Sequence, residues 1–218
     1  MSISAVAKSE RLSAVVSPFS IESEHIEALR TQVLAPWLAA HKRNACLRLW
    51  SMSCATGAEA LSLAMAVVEA LPDWQRLDIR ILATDVDAGL VAQAQRGLFD
   101  EAQLTGLSPA MQLRWFKPRA RHGASRLCKV QPELLSLIRY AVFEPQVKLP
   151  FSGPIDAIFC RNSMAYWESG LQQTMLASFV DLQPRRGLLC LGADERHLQP
   201  DSSYRRLGRG LFQRIQAP

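Results

Sequence analysis

The 218-residue sequence lacks the features that mark several large classes of protein. Its five cysteines form no CxxC pair, so neither a zinc site nor a disulfide framework is indicated. No apolar run reaches the roughly 18 residues of a membrane span. The N-terminus also lacks the basic-then-apolar order of a secretion signal. We therefore expect a soluble, cytoplasmic protein that does not insert into membranes.

Two phosphate-binding motifs, GxGxxG and GxxxxGK[ST], are also absent. Their absence argues against a bound dinucleotide and against a nucleoside triphosphatase. The net charge is +5, from 25 Lys and Arg against 20 Asp and Glu. The Arg-rich stretches 114–126 and 205–214 lack an aromatic pattern typical of nucleic-acid binding. We interpret them as solvated faces or as contacts to an acidic partner, and we expect no nucleic acid.

What is present is a globular composition, with 49% hydrophobic and 21% charged residues. Apolar periodicity predicts strands that alternate with helices along most of the chain. This alternation is typical of an α/β fold, a doubly wound, mostly parallel sheet. The predicted strands are Cys46–Met52, Ile79–Thr84, Tyr140–Phe143, Asp156–Cys160 and Gly187–Leu191, the predicted helices are 58–71, 88–96 and 171–182, and a closing hairpin turns at Gly208–Gly210.

The predicted domain boundaries follow from where the strand–helix alternation starts and where it is interrupted. We predict a flexible tail over residues 1–20 and one domain over 21–218, entered by a helix that runs from Ser20 or Ser23 to about His41. Pro36 should bend or split that helix. Residues 101–139 do not follow the strand–helix alternation, which indicates a small inserted subdomain.

Ligands of such sheets bind beyond the carboxyl ends of the strands. Three features fall there: the turn Ser53–Gly57 that leads into Glu59, then Asp85, and then Arg161-Asn162 with Tyr166 beyond. A carboxylate that ends the second strand suits a ribose diol, because it accepts two hydroxyl hydrogen bonds. Without a phosphate loop, the pattern favours a nucleoside ligand such as S-adenosyl-L-methionine (SAM).

Four segments along the chain carry a resemblance to a known family: Leu47–Met65 (LRLWSMSCATGAEALSLAM), Ala83–Asp87, Phe159–Tyr166, and Gly187–Gly192 with Asp194-Glu195. In order and in spacing, from about residue 26 to 215, they resemble the CheR family of chemotaxis-receptor glutamate methyltransferases. Ala83–Asp87 is similar to the family's ATDID, and Phe159–Tyr166 is similar to FCRNVLIY. The resemblance implies a Rossmann-like SAM-dependent methyltransferase with SAM as cofactor and S-adenosyl-L-homocysteine as product. It also implies a protein substrate, a chemoreceptor or another signalling protein.

The resemblance also implies roles for individual residues. Glu59 would meet the methionine end of SAM, and Asp85 would hold its ribose. Arg161 and Asn162 would lie beside the cofactor, and Tyr166 would face the site of methyl transfer. Each residue has a structural alternative as well. Glu59 suits the first turn of any helix, and Asp85 could be a turn residue or an N-cap. Arg161-Asn162 could be a polar strand end, and Tyr166 could be a core aromatic. The predicted cofactor-binding set is Thr56, Gly57, Glu59, Asp85, Arg161 and Asn162, and the predicted catalytic pair is Tyr166 and Arg161.

The sequence departs from the family pattern where an arginine is expected before the first helix. The family's TxFFR motif aligns with Ser17–Ile21, so Ile21 replaces that arginine. Methylation of an ionised glutamate needs no general base, but it needs a donor that orients the carboxylate. Arg161, Arg30 or an arginine of a partner could substitute. Further departures are Ser53 for Gly, Ala58 for Glu, Ala60-Leu61 for Pro-Tyr, and Val147-Lys148 for the adenine-flanking Asn-Leu.

We also expect the family's basic N-terminal helical domain to be missing, because only about 20 residues precede the core. Two hypotheses stay open. The first is an active SAM-dependent protein-glutamate methyltransferase. The second is a catalytically degenerate relative that acts as a SAM-binding or protein-interaction module.

Overall fold

The computed structural model describes Phe19, Ile21 and residues 23–40, 45–122, 125–145, 149, 153–195 and 197–215. The predicted tail lies outside the described residues except for Phe19, which is buried. The segment Val147-Lys148, predicted to flank an adenine, also lies outside them.

The described residues form ten strands, β1 Cys46–Met52, β2 Asp78–Asp85, β3 Leu98–Asp100, β4 Phe116–His122, β5 Ser125–Val130, β6 Ile138–Val142, β7 Ala157–Cys160, β8 Leu188–Leu191, β9 Tyr204–Gly208 and β10 Leu211–Arg214. A seven-stranded sheet forms the centre of the described fold, in the order β6-β2-β1-β7-β8-β10-β9. Strands β6, β2, β1, β7 and β8 pair in parallel, and β10 pairs antiparallel with both β8 and β9. The predicted parallel sheet and the closing hairpin are therefore confirmed.

Helices cover both faces of this sheet because apolar side chains alternate along the buried strands. Phe159 on β7 belongs to the cluster that packs with the helix after β1, whereas its neighbour Ile158 belongs to the cluster that packs with the helix before β8. This period of two predicts two cores, one on each face. The helices are α1 Ser23–Ala28, α2 Ala35–Ala39, α3 Ala58–Ala70, α4 Ala88–Arg96, α5 Pro109–Trp115, α6 Pro132–Leu135 and α7 Ser169–Leu182.

The first helix is not split at Pro36: α1 and α2 are joined without a break by a π-helical segment over Leu29–Leu34, and Leu34 and Ala35 keep helical backbone angles. Pro36 then lies in the first turn of α2. A proline is tolerated there because its missing N–H costs the least at the start of a helix.

A second, three-stranded antiparallel sheet has the order β3-β5-β4. Strands β4 and β5 lie within the predicted insertion 101–139, whereas β3 precedes it and β6 of the main sheet begins at Ile138. Strand β4 was not predicted, because Pro118 and several basic residues obscure its pattern. The β4–β5 register shifts between Pro118 and Arg121, as expected where a proline cannot donate to the ladder. The ring of Phe19 packs against Phe99 and Phe116, with centroids 5.1 and 5.6 Å away.

Within the described ranges, no helix combines the length and the apolar character that crossing a bilayer requires. The doubly wound α/β architecture with a small inserted sheet agrees with the sequence prediction.

Candidate functional site

The order of strands reverses between β1 and β7, which places a crevice at their carboxyl ends. The turn after β1, the end of β2 and the loop after β7 all reach this edge. The predicted residues Thr56, Gly57, Glu59, Asp85, Arg161 and Asn162 follow these strand ends.

The turn after β1 has an unusual backbone. Ser53, Ala55 and Gly57 have φ angles of 60°, 46° and 88°, all in the left-handed region. Ser53 stands where the resembled family has glycine, and its positive φ explains that preference. Gly57 cannot be replaced easily, because a Cβ there would lie 2.9 Å from the Cβ of Ala94. The turn is thus fixed by its packing against α4.

Asp85 holds this turn to the end of β2. Its Oδ2 accepts a hydrogen bond from the Ala55 N–H at 2.8 Å, and its Oδ1 accepts one from the Asp87 N–H at 3.1 Å. The residue is only 8% exposed. Asp87 caps α4 by accepting from the N–H groups of Gly89 and Leu90, as its position predicts. Asp85 therefore does not cap the following helix, but its bonds to the Ala55 and Asp87 N–H groups make it a turn residue. Its role toward a ribose stays a prediction.

Glu59 and Arg161 meet across the switch point. The Arg161 Nη1 donates to Glu59 Oε2 at 3.0 Å, and each side chain is 14% exposed. The Ser51 hydroxyl donates to Glu59 Oε1 at 2.7 Å. A carboxylate from α3 and a guanidinium from the loop after β7 thus form a half-buried charge pair beside the turn of residues 53–57. Sequence analysis did not select Ser51, whose only signal is its position on a buried strand.

The loop after β7 is held by Glu195, a residue to which sequence analysis gave no role. The Glu195 carboxylate is fully buried, at 0% exposure. Its Oε2 accepts from the Asn162 N–H at 2.9 Å and its Oε1 from the Ser163 N–H at 2.6 Å. Asn162 has a φ of 56°. Glu195 was visible in the sequence only as part of the match to the family's last motif.

Cys54 lies in the same turn and is buried. Burial, together with the negative charges of Asp85 and Glu59, raises the pKa of its thiol to about 12. The thiol therefore stays protonated at neutral pH and cannot serve as a nucleophile. No group of His, Cys, Asp and Glu side chains that could hold a metal ion occurs in the described part of the chain.

The residue that replaces the expected arginine lies beside Arg30, one of the two substitutes named in this chain. Ile21 packs against the core and lines a cleft of about 140 Å³ together with Arg30, Ser62 and Met65. Arg30 pairs with Glu69. Glu69 lies ten residues beyond Glu59 on α3, which is about 15 Å along a helix axis. Of the two arginines of this chain named as substitutes, only Arg161 therefore lies at the switch point. Tyr166 belongs to a 3₁₀ turn, Met164–Tyr166, and its side chain lies outside the described part of the molecule.

Tyr140 on β6 faces Gly57, and its hydroxyl group gives a prediction about stability. Its buried hydroxyl has no hydrogen-bond partner among the described residues, and burial raises its pKa. Removal of an unsatisfied buried hydroxyl is favourable, so we expect Tyr140→Phe to raise the free energy of unfolding by about 1 kcal/mol. Urea denaturation measures the change.

The matched control is Tyr204→Phe, because the Tyr204 hydroxyl donates to Gln183 Oε1 at 2.6 Å. That variant should lose about 1 kcal/mol, since it leaves a buried acceptor without its donor. Equal losses in the two variants would contradict the assignment of an unpartnered hydroxyl to Tyr140.

The site suits a nucleoside that carries a positive charge and lacks phosphates. Its side chains offer the carboxylates of Asp85 and Glu59, and the sequence contains no glycine-rich phosphate loop. A carboxylate at the end of β2 and a second one on the first turn of α3 fit a ribose diol and a cationic end group. With the doubly wound sheet, this combination defines the class of SAM-dependent methyltransferases with a Rossmann-like fold.

Comparison with known proteins identifies the family. The model described as "CheR methyltransferase, SAM binding domain" matches residues 16–208. A "Probable chemotaxis protein methyltransferase" of Rhizobium etli is 34% identical over 195 residues, which cover 88% of this chain and 72% of the relative. The "Chemotaxis protein methyltransferase" of Salmonella typhimurium is 33% identical and covers 78% of this chain and 62% of the relative. The chain belongs to the CheR methyltransferase family, and its cofactor is SAM.

Because the chain spans 72% and 62% of the lengths of these two relatives, their substrates and partners are proposals for this chain. Among solved structures, the DszA carbon methyltransferase matches with a TM-score of 0.46 and 15% identity, over 77% of this chain and 34% of that one. This structural likeness is too distant to add to the family assignment.

Proposed function

We propose that the protein acts in the cytoplasm and transfers a methyl group from SAM to glutamate side chains of a protein partner, a chemoreceptor or another signalling protein. The observation that carries the proposal is the Glu59–Arg161 pair next to Asp85 at the switch point. The names of the Rhizobium and Salmonella relatives support the chemotaxis context.

In this proposal the residues at the strand ends hold the cofactor. Asp85 accepts hydrogen bonds from the ribose hydroxyls, and Glu59 attracts the methionine ammonium group. Asn162 lies beside the cofactor, and Thr56 and Gly57 shape the turn against which it binds. Arg161 keeps Glu59 oriented through the 3.0 Å hydrogen bond between Nη1 and Oε2. Tyr166 would face the site of methyl transfer.

SAM, held by Asp85, Glu59 and Asn162, would supply a methyl group on a positively charged sulfur to a carboxylate oxygen of the substrate. The electron pair of the carbon–sulfur bond would stay on sulfur, so the products would be a neutral methyl ester and S-adenosyl-L-homocysteine, with no proton transferred. The protein therefore contributes orientation and exclusion of water rather than acid–base chemistry, which agrees with the protonated thiol of Cys54.

A second candidate function is a SAM-binding module that regulates a partner without methylating it. Ile21 favours this alternative, because it replaces an arginine of the resembled family and offers no hydrogen-bond donor from its side chain in the cleft that it lines. Of the two arginines of this chain named as substitutes, Arg161 is the one at the switch point, and it already holds Glu59.

Transfer of a radioactive methyl group from SAM to purified chemoreceptor fragments separates the two functions. A methyl ester releases methanol in mild alkali, whereas a methylated amine or thiol does not. We expect alkali-labile label that is lost when the accepting glutamates of the fragment are changed to alanine. Tight SAM binding without label in any fragment would contradict methyl transfer and support the regulatory module.

A further inference from the structure

Glu195 is the most deeply buried carboxylate near the switch point, and the methyl-transfer chemistry does not use it. It lies in the 3₁₀ turn Ala193–Glu195 after β8 and is 0% exposed. Burial of a charged carboxylate is costly unless hydrogen bonds compensate for the lost water. Here the compensation comes from the backbone N–H groups of Asn162 and Ser163.

These two bonds fix an uncommon backbone conformation. Asn162 has a φ of 56°, in the left-handed region that asparagine tolerates better than most residues other than glycine. The Glu195 carboxylate accepts from both Asn162 and Ser163, at 2.9 and 2.6 Å, and so holds the loop in this conformation. The loop after β7 consequently makes a sharp turn at Asn162, the residue that follows Arg161.

The space around the carboxylate is also restricted. A Cβ on Gly192 would lie 2.6 Å from Glu195 Oε2 and would collide with Asn162 Oδ1. On the other side, the Ser163 hydroxyl contacts Cys160 Sγ at 3.2 Å in a buried position. The backbone at Gly192 and the Glu195 carboxylate are thus closely packed against the loop.

We propose that Glu195 is a positioning residue: it holds the turn Arg161–Ser163 in the conformation that presents Arg161 to Glu59 and Asn162 to the cofactor. The inference deepens the proposed function, because it rests on the role given there to Arg161 and Asn162. Glu195 itself lies behind the loop and does not touch the cofactor in this scheme.

The test is calorimetric titration of the full chain with S-adenosyl-L-homocysteine, which needs no methyl acceptor. In Glu195→Gln, the amide N–H₂ group would face the backbone N–H of either Asn162 or Ser163, and the hydrogen bond from that N–H would be lost. We therefore expect Glu195→Gln to weaken binding by roughly tenfold or more, since one charge-assisted bond corresponds to at least that factor. Glu195→Asp keeps the charge but is one methylene shorter, and we expect it to weaken binding too; it carries the test if Glu195→Gln does not fold.

Leu198→Ala is the matched control for a purely structural effect. Leu198 is 7% exposed and belongs to the buried apolar cluster next to this turn, and its N–H donates to the Glu195 carbonyl. The variant removes buried apolar contacts beside the turn, whereas it keeps this backbone bond and the carboxylate. We expect a lower melting temperature for Leu198→Ala but an unchanged dissociation constant well below that temperature. An unchanged constant in Glu195→Gln, or equal weakening in Leu198→Ala, would overturn the positioning role.

The outcomes also separate this inference from the proposed function. A wild-type chain that does not bind S-adenosyl-L-homocysteine would contradict both. A wild-type chain that binds it but labels no receptor fragment would contradict methyl transfer alone, and the comparison of Glu195 with Leu198 would still decide the positioning role.

Discussion

Replacement of Asp85 by alanine is expected to weaken SAM binding by about 100-fold or more, because two hydrogen bonds from ribose hydroxyls to a charged acceptor are lost. The same change removes Asp85 Oδ2, which accepts a hydrogen bond from the Ala55 N–H at 2.8 Å and so holds the turn of residues 53–57. Calorimetric titration with SAM and with S-adenosyl-L-homocysteine measures both dissociation constants. Asp85→Asn should give a smaller loss, because the amide keeps one acceptor oxygen.

Asp87→Ala is the control for this prediction, since Asp87 lies two residues away and caps α4. Loss of an N-cap costs about 1 kcal/mol of stability. Among the described residues, the Asp87 side chain accepts hydrogen bonds from the Gly89 and Leu90 N–H groups and from none in the turn of residues 53–57. The SAM affinity of Asp87→Ala should therefore stay within about twofold of wild type, well under the tenfold change that about 1.4 kcal/mol produces. Similar weakening in the Asp85 and Asp87 variants would show that Asp85 has no specific role in ribose binding.

The Glu59–Arg161 pair is expected to couple stability to cofactor binding. Each side chain is 14% exposed, so removal of one partner leaves the other as a poorly hydrated charge. Glu59→Ala and Arg161→Ala should each lower the free energy of unfolding by about 3 kcal/mol. The double variant should lose clearly less than the sum, because it leaves no unpaired charge. Urea denaturation of the four proteins gives the coupling energy.

An exposed ion pair on the same sheet provides the comparison. Arg48 Nη2 lies 2.7 Å from Asp78 Oδ2, with side-chain exposures of 30% and 52%. Asp78→Ala should cost less than about 1 kcal/mol, since solvent screens such a pair. Purely additive losses at Glu59 and Arg161 would contradict a coupled pair. In titrations, Glu59→Ala should also lose most of its SAM affinity, while Asp78→Ala should keep it.

The fold was predictable because its strands and helices carry unambiguous periodicity. Strand β1 and helix α4 have the predicted bounds, and Gly97 ends α4 in the left-handed conformation that its residue type suggests. Strand β4 was missed, because an alternation of basic residues broken by Pro118 resembles a solvated loop. The π-helical turn at Leu29–Leu34 has no recognisable sequence signal at all.

The candidate site was predictable only in part. Glu59, Asp85 and Arg161 could be selected because they follow predicted strands, and the fold brings Glu59 and Arg161 into contact. Their roles toward SAM stay predictions. Glu195 could not be selected, because an acidic residue in a polar loop is more often a surface residue than a buried acceptor. The depth of its burial depends on tertiary packing that local sequence does not encode.

The left-handed residues Ser53, Ala55 and Gly57 have a consequence for the kinetics of ligand capture. Folding of the domain, rather than arrival of the ligand, supplies the free energy that holds this backbone in place. Ordering of the turn should therefore add little to the entropic cost of complex formation. Ligand association should follow a single exponential whose rate rises linearly with ligand concentration, without a slow isomerisation step of this turn.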